Sequence, residues 1–134
     1  MRRLAMVLLL SCITCLAQKS AKYQACSEKA KTQAEMNACA SDELAREDAE
    51  LNAVYQKLLA QAASDPNAVA KIKTSERAWV AYRDAYLDAM YPAEDKTAQY
   101  GTIYALESSL ARTKLTRHQT AALKELLLKY GGKE

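Results

Sequence analysis

The chain has no phenylalanine, three glycines and two prolines in 134 residues. Strand-rich folds need turn residues every few positions and bulky β-formers between them, so this scarcity argues against a sandwich or barrel. A single histidine removes the usual metal-site and acid–base clusters, and two of the four cysteines lie within the first 15 residues. No Gly-rich phosphate loop and no metal-ligand spacing is found, and Ser108-Ser109 lacks a partnering base. His118 lies in a polar, basic stretch without an orienting carboxylate, as a solvated side chain would. What remains is rich in Ala, Leu, Lys and Glu, a composition of helices, with length for one domain and one core.

The N-terminus has the zones of a secretory signal peptide: Met1-Arg2-Arg3, an apolar run from Leu4 to Leu10, then small and polar residues ending at Ala17. Cleavage there would leave a mature domain of residues 18–134 in the periplasm or secreted. A second way of processing is a lipid-bearing Cys12 after Leu9-Leu10-Ser11. The run is too short for a spanning helix, and no later segment is apolar enough to be one. Losing Arg2 and Arg3 turns the net charge of +3 into 17 basic against 16 acidic groups, a net of +1. Such a balance gives no field for nucleic acid or anionic lipid. Cys26 and Cys39 are then the only thiols, 13 positions apart, and in an oxidising compartment they form a disulfide; the alternative is a pair of buried thiols. A bridge over so short a loop stabilises by about 3 kcal/mol in the chain-entropy account.

The remainder is expected to be all-α: a long antiparallel helical hairpin covered by a third helix, either continuous or broken in two. Gln18 to Lys31 reads either as a frayed start or as a short turn of helix around Cys26. Thr32-Gln33-Ala34-Glu35 matches a capping box and starts a helix running to Ala63. Ser64-Asp65-Pro66-Asn67 is the turn, and Asp65 and Pro66 suit the cap and first position of a helix ending near Met90, before Tyr91-Pro92. Pro92 to Gly101 reads as a loop. The third helix starts at Gly101 or Thr102 and carries Ile103, Leu106, Leu110 and Leu115; Thr116-Arg117-His118-Gln119 is a second capping-box match where it could restart toward Leu123, Leu126, Leu127 and Tyr130, and Gly131-Gly132 ends it.

In an antiparallel hairpin turning at residue 65, facing positions have numbers adding to about 130. That pairs Leu51 with Trp79 and Leu58 with Ile72, and sets Asp48 against Arg83 and Tyr55 against Glu76. The Asp48–Arg83 pair would hold the register of the seam, with Tyr82 adding bulk, rather than form an acid–base site, because side chains fill such a seam. Glu43, Glu47 and Glu50 form a charged stripe on the first helix, read as its solvated side or as a binding patch.

Several of these stretches resemble the LprI-type lysozyme inhibitors, a family of small secreted bacterial domains. They are Cys26, Thr32 to Ala40 with its Gln-x-Glu-Met-Asn-x-Cys core, Asp48 to Tyr55 with Leu51-Asn52 and Tyr55, and Ala78-Trp79 with Tyr82-Arg83-Asp84. Asp48, Tyr55, Glu76, Trp79, Tyr82 and Arg83 of the seam, with Asn52 and Asp84 beside them, are read as structural, and without nucleophile, phosphate-loop or metal motif neither a cofactor nor an enzymatic activity is expected. Family members often carry a second cysteine pair whose neighbourhoods here read Ala85-Tyr86-Leu87 and Glu107-Ser108-Ser109-Leu110, which implies a looser segment from Pro92 to Gly101. The function implied is binding of a lysozyme-type peptidoglycan hydrolase; acidic clustering on a nearly neutral chain makes the Glu43, Glu47, Glu50 stripe or the loop around Glu94 and Asp95 the surface that would meet its cationic cleft. An envelope interaction module, such as an immunity or accessory protein of a secreted toxin, is the other function considered.

Overall fold

The computed structural model describes residues 19–131; the expectations for the signal peptide, for Cys12 and for Gly132 lie outside them. Five helices follow in order: α1 (Ala21–Lys29), α2 (Gln33–Gln61), α3 (Pro66–Met90), α4 (Lys96–Tyr100) and α5 (Ile103–Gly131). No strand occurs among the described residues. Each start has a local cause. Thr32 Oγ1 accepts from the Glu35 N–H at 3.2 Å while the Glu35 carboxylate accepts from the Thr32 N–H at 3.0 Å, so the capping box is formed. Asp65 accepts from the Ala68 N–H at 3.0 Å, with Pro66 in the first turn, where a missing N–H costs nothing. Gly101 closes α4 at φ 72°, which a residue with a Cβ adopts only with strain.

Helix directions follow from cross-helix contacts. Between α2 and α5 the paired numbers rise together: Asn37 with Thr102, Asp48 with Thr116, Glu50 with Lys124. Those helices are parallel. Between α3 and α5 they run oppositely, with Glu76 meeting Gln119, Asp84 meeting Arg112 and Tyr91 meeting Glu107. Hence α3 returns antiparallel to α2, and α5 covers the hairpin along its whole length. The core near the turn holds Leu51, Leu58, Ala62, Ala68, Ile72 and Leu123, with Trp79 and Tyr55 packed against it. Leu58 is fully buried, worth about 1.5–3 kcal/mol relative to exposure.

The closest contact is between α2 and α5, not within the hairpin. Thr113, Thr116 and Thr120, at steps of three and four, are buried on the α5 face together with Leu123. Small side chains there let the two backbones approach. The hydroxyls of Thr113 and Thr120 donate to the carbonyls of Ser109 and Thr116 within α5, so burial leaves them satisfied. Thr116 is therefore inside a continuous helix, and the expected restart there does not occur. At the N-terminal side, of the two expected alternatives the short helix around Cys26 is the one found: it is α1, capped by Ser20, and the Cys26–Cys39 disulfide, with Cα atoms 5.7 Å apart, fastens it to α2.

Candidate functional site

The acidic stripe is the first place a partner was expected, and it faces α5. Glu43 is only 2% exposed. Its carboxylate accepts from the Ser20 hydroxyl at 2.6 Å, the Ser20 N–H at 3.3 Å and Arg46 at 2.5 Å, and it pairs with Arg117. Burial alone would raise its pKa; the hydrogen bonds from Ser20 and Arg46 and the charge of Arg117 outweigh it and hold the carboxyl below the ordinary range. Glu47 binds Arg117 at 2.8 Å, and Glu50 binds Lys124 at 2.5 Å. For Arg117, burial would lower the pKa, but its hydrogen bonds and charge contacts with Glu47 and Glu43 raise it. The stripe is thus buried at Glu43, partly covered at Glu47 and solvated only at Glu50, and each of its carboxylates already holds a cation. Three carboxylates on α2 meet two cations seven residues apart on α5, which joins the helices along one line.

The polar seam is also rearranged. Asp48 accepts from the Thr116 hydroxyl of α5 at 3.2 Å, not from Arg83. Arg83 pairs with Asp84 at 3.0 Å and lies over the Trp79 ring at 5.2 Å. Asp84 also meets Arg112 at 3.4 Å. Glu76 accepts from Gln119 at 2.7 Å rather than from Tyr55, which is half-buried against the core. The reason is common to both mismatches. Because α5 lies alongside both hairpin helices, its donors satisfy the seam carboxylates. Asn52 is exposed. Tyr82, given a packing role from the sequence, is 56% exposed, with its ring 5.9 Å from that of Tyr86.

The other acidic candidates lie at the far end of the bundle. The segment after Pro92 is not a plain loop, since Asp95 accepts from the Ala98 N–H at 2.9 Å and starts α4. Tyr91, nearly buried, makes edge-on contacts with Tyr100 at 5.3 Å and Tyr104 at 5.1 Å, and its hydroxyl donates to Glu107 at 3.3 Å. Burial foremost, then the Glu107 charge, raises the Tyr91 pKa. Lys96 reaches the Ala93 carbonyl and Asp88, each at 3.2 Å. Three rings tie the end of α3, α4 and the start of α5 where the resemblance implied slackness from a missing cysteine bridge. Glu94 projects into solvent from this tied segment.

Two hollows border α5. One, about 150 Å³, lies beside α1 and includes Tyr23, Glu43, Lys114 and Arg117 in its walls. The other, about 290 Å³, is a groove between Tyr82, Tyr86 and Met90 of α3 and Ala111, Lys114, Leu115 and His118 of α5. Neither Tyr86 nor Met90 was singled out from the sequence, although the 82, 86, 90 spacing puts all three on one helix face. Among the described residues, no group of three or more His, Cys, Asp or Glu side chains is placed to hold a metal ion, and no helix is long and apolar enough to cross a membrane.

Neither the curated proteins nor the solved structures include a match to this chain. The family model described as "Lysozyme inhibitor LprI" matches residues 26–123, from the first cysteine of the disulfide through α2 and α3 to the buried Leu123 of α5, and the chain belongs to that family.

Proposed function

We propose that the protein inhibits a lysozyme-type peptidoglycan hydrolase outside the cytoplasm by binding it as a folded protein. The family match over residues 26–123 is the observation that carries this, because it takes in the disulfide and most of all three long helices. With Glu43, Glu47 and Glu50 paired to cations of α5, Glu94 and Asp95 are the exposed acidic candidates without an ion pair among the described residues. Held on a segment tied by three tyrosines, they would steer a cationic hydrolase toward the end of the bundle and lose influence as salt is raised. Lysis of cell-wall substrate by a purified c-type lysozyme, followed with the mature protein in molar excess at low salt, tests the proposal. Slowed lysis is expected; an unchanged rate rejects it. Mass spectrometry of the mature N-terminus separates cleavage after Ala17 from lipid attachment at Cys12.

A further inference from the structure

Large apolar side chains left in solvent are few among the described residues, and three of them, Tyr82, Tyr86 and Met90, line a single groove. Their exposures of 56%, 43% and 44% show that the fold does not use them as core. Tyrosine is well suited to contact with another protein, because a large rigid ring is ordered at the cost of two torsions. Across the groove stand Lys114 and His118 of α5. Lys114 is exposed and has no carboxylate within ion-pair distance among the described residues, whereas Asp84, Asp88, Glu47 and Glu50 each have a cation. The groove thus joins an apolar wall to an unpaired positive charge.

A glycosidase of the proposed kind cleaves with a pair of carboxyl groups flanking the scissile bond. We infer that the α3–α5 groove is the inhibitory contact, with Tyr82 and Tyr86 as its anchors and Lys114 set toward the hydrolase's carboxylates. The inference rests on the inhibitor function proposed above and names the surface that performs it. An ammonium brought to that pair stabilises both groups as anions and opposes the protonated state that one of them needs as general acid. Met90 leads directly into the segment carrying Glu94, so an acidic steering element and the apolar anchor lie in sequence on one part of the molecule.

The test measures the inhibition constant of the mature protein and its variants against a c-type lysozyme. The double variant Tyr82→Ala/Tyr86→Ala is expected to bind about 30-fold or more weakly, as loss of interface anchors does. Lys114→Glu is expected to weaken binding about tenfold, and the loss should shrink when the hydrolase's two catalytic carboxylates are changed to amides. Leu128→Ser, which removes a lone apolar side chain, 78% exposed and away from the groove, should inhibit like the wild type. As a measurement independent of variant folding, bound lysozyme should shield Tyr82 and Tyr86 from nitration, read by peptide mass.

A wild-type protein that inhibits together with a double variant of equal potency overturns the groove and leaves the inhibitor function standing. So do two tyrosines nitrated at the free rate in the complex, or a Leu128→Ser variant as impaired as the double one. Lys114→Glu of undiminished potency overturns the contact with the carboxylates. A wild-type protein that neither binds nor inhibits removes the groove and the inhibitor function together.

Discussion

Glu43→Gln keeps the shape of the most enclosed carboxylate in the bundle and removes its charge. The wild-type group accepts from the Ser20 hydroxyl and N–H, from Arg46 and from Arg117. A glutamine offers one acceptor oxygen and turns an NH2 toward a guanidinium. Hydrogen bonds involving a charged group contribute about 1.5–3 kcal/mol each, and breaking a buried ion pair costs about 3–5 kcal/mol. The structure lowers that figure, because Arg117 retains Glu47 and the Arg46 side chain is 38% exposed to water. A loss of about 2–4 kcal/mol remains, which for a domain near 110 residues is a fall in Tm of roughly 8–16 °C. Thermal unfolding followed by far-UV circular dichroism measures it. The pH dependence has a definite sign. The folded-state pKa of Glu43 is depressed, so its contribution is full above the ordinary carboxylate range and is lost as pH falls through the folded value. Glutamine cannot titrate, and the gap between the two proteins should be constant from pH 7 to about 5 and narrow below that. A gap under about 1 kcal/mol at pH 7, or one unchanged at pH 3, would refute the account of Glu43 as a charged tie between α1, α2 and α5.

Three further outcomes are expected. Cys26→Ser/Cys39→Ser should lower stability in urea by about 3 kcal/mol and speed amide exchange in α1, which the bridge fastens to α2. Tyr91→Ala should cost about 3–5 kcal/mol and open residues 92–101 to limited proteolysis, whereas Tyr91→Phe, which loses only the hydroxyl bond to Glu107, should cost about 1 kcal/mol. A double-mutant cycle between Asp48 and Arg83 should give a coupling below about 0.3 kcal/mol, against about 0.5–1.5 kcal/mol for Asp48 with Thr116.

Local chemistry was legible in the sequence, and long-range partnership was only partly so. The bounds of α3 follow from Asp65-Pro66 at one end and Pro92 at the other, and the start of α2 from its capping box, because caps act within a few residues. The disulfide follows from there being two cysteines beyond the N-terminal segment. The hairpin register set Asp48 opposite Arg83, yet a third helix alongside supplied a nearer donor. That helix was read by its leucines, of which Leu123 is buried, while the rest of the buried face, Thr113, Thr116 and Thr120, was not read. A run of small residues at steps of three and four was the available signal. So was the match between acids at 43, 47 and 50 and cations at 117 and 124. The Ser20–Glu43 bond has no such signal, since it depends on where α1 lies. The aromatic stripe was missed because Tyr82 was assigned to the core, and only its exposure exposes Tyr86 and Met90 as its companions.

The parallel course of α2 and α5 has a consequence for biosynthesis. Their contacts join residues 65 to 74 positions apart, so the tightest part of the molecule closes only when most of the polypeptide exists. Until then a nascent α2 displays its row of glutamates without Arg117 and Lys124, an arrangement whose mutual repulsion and hydration disfavour premature collapse or association of half-made chains.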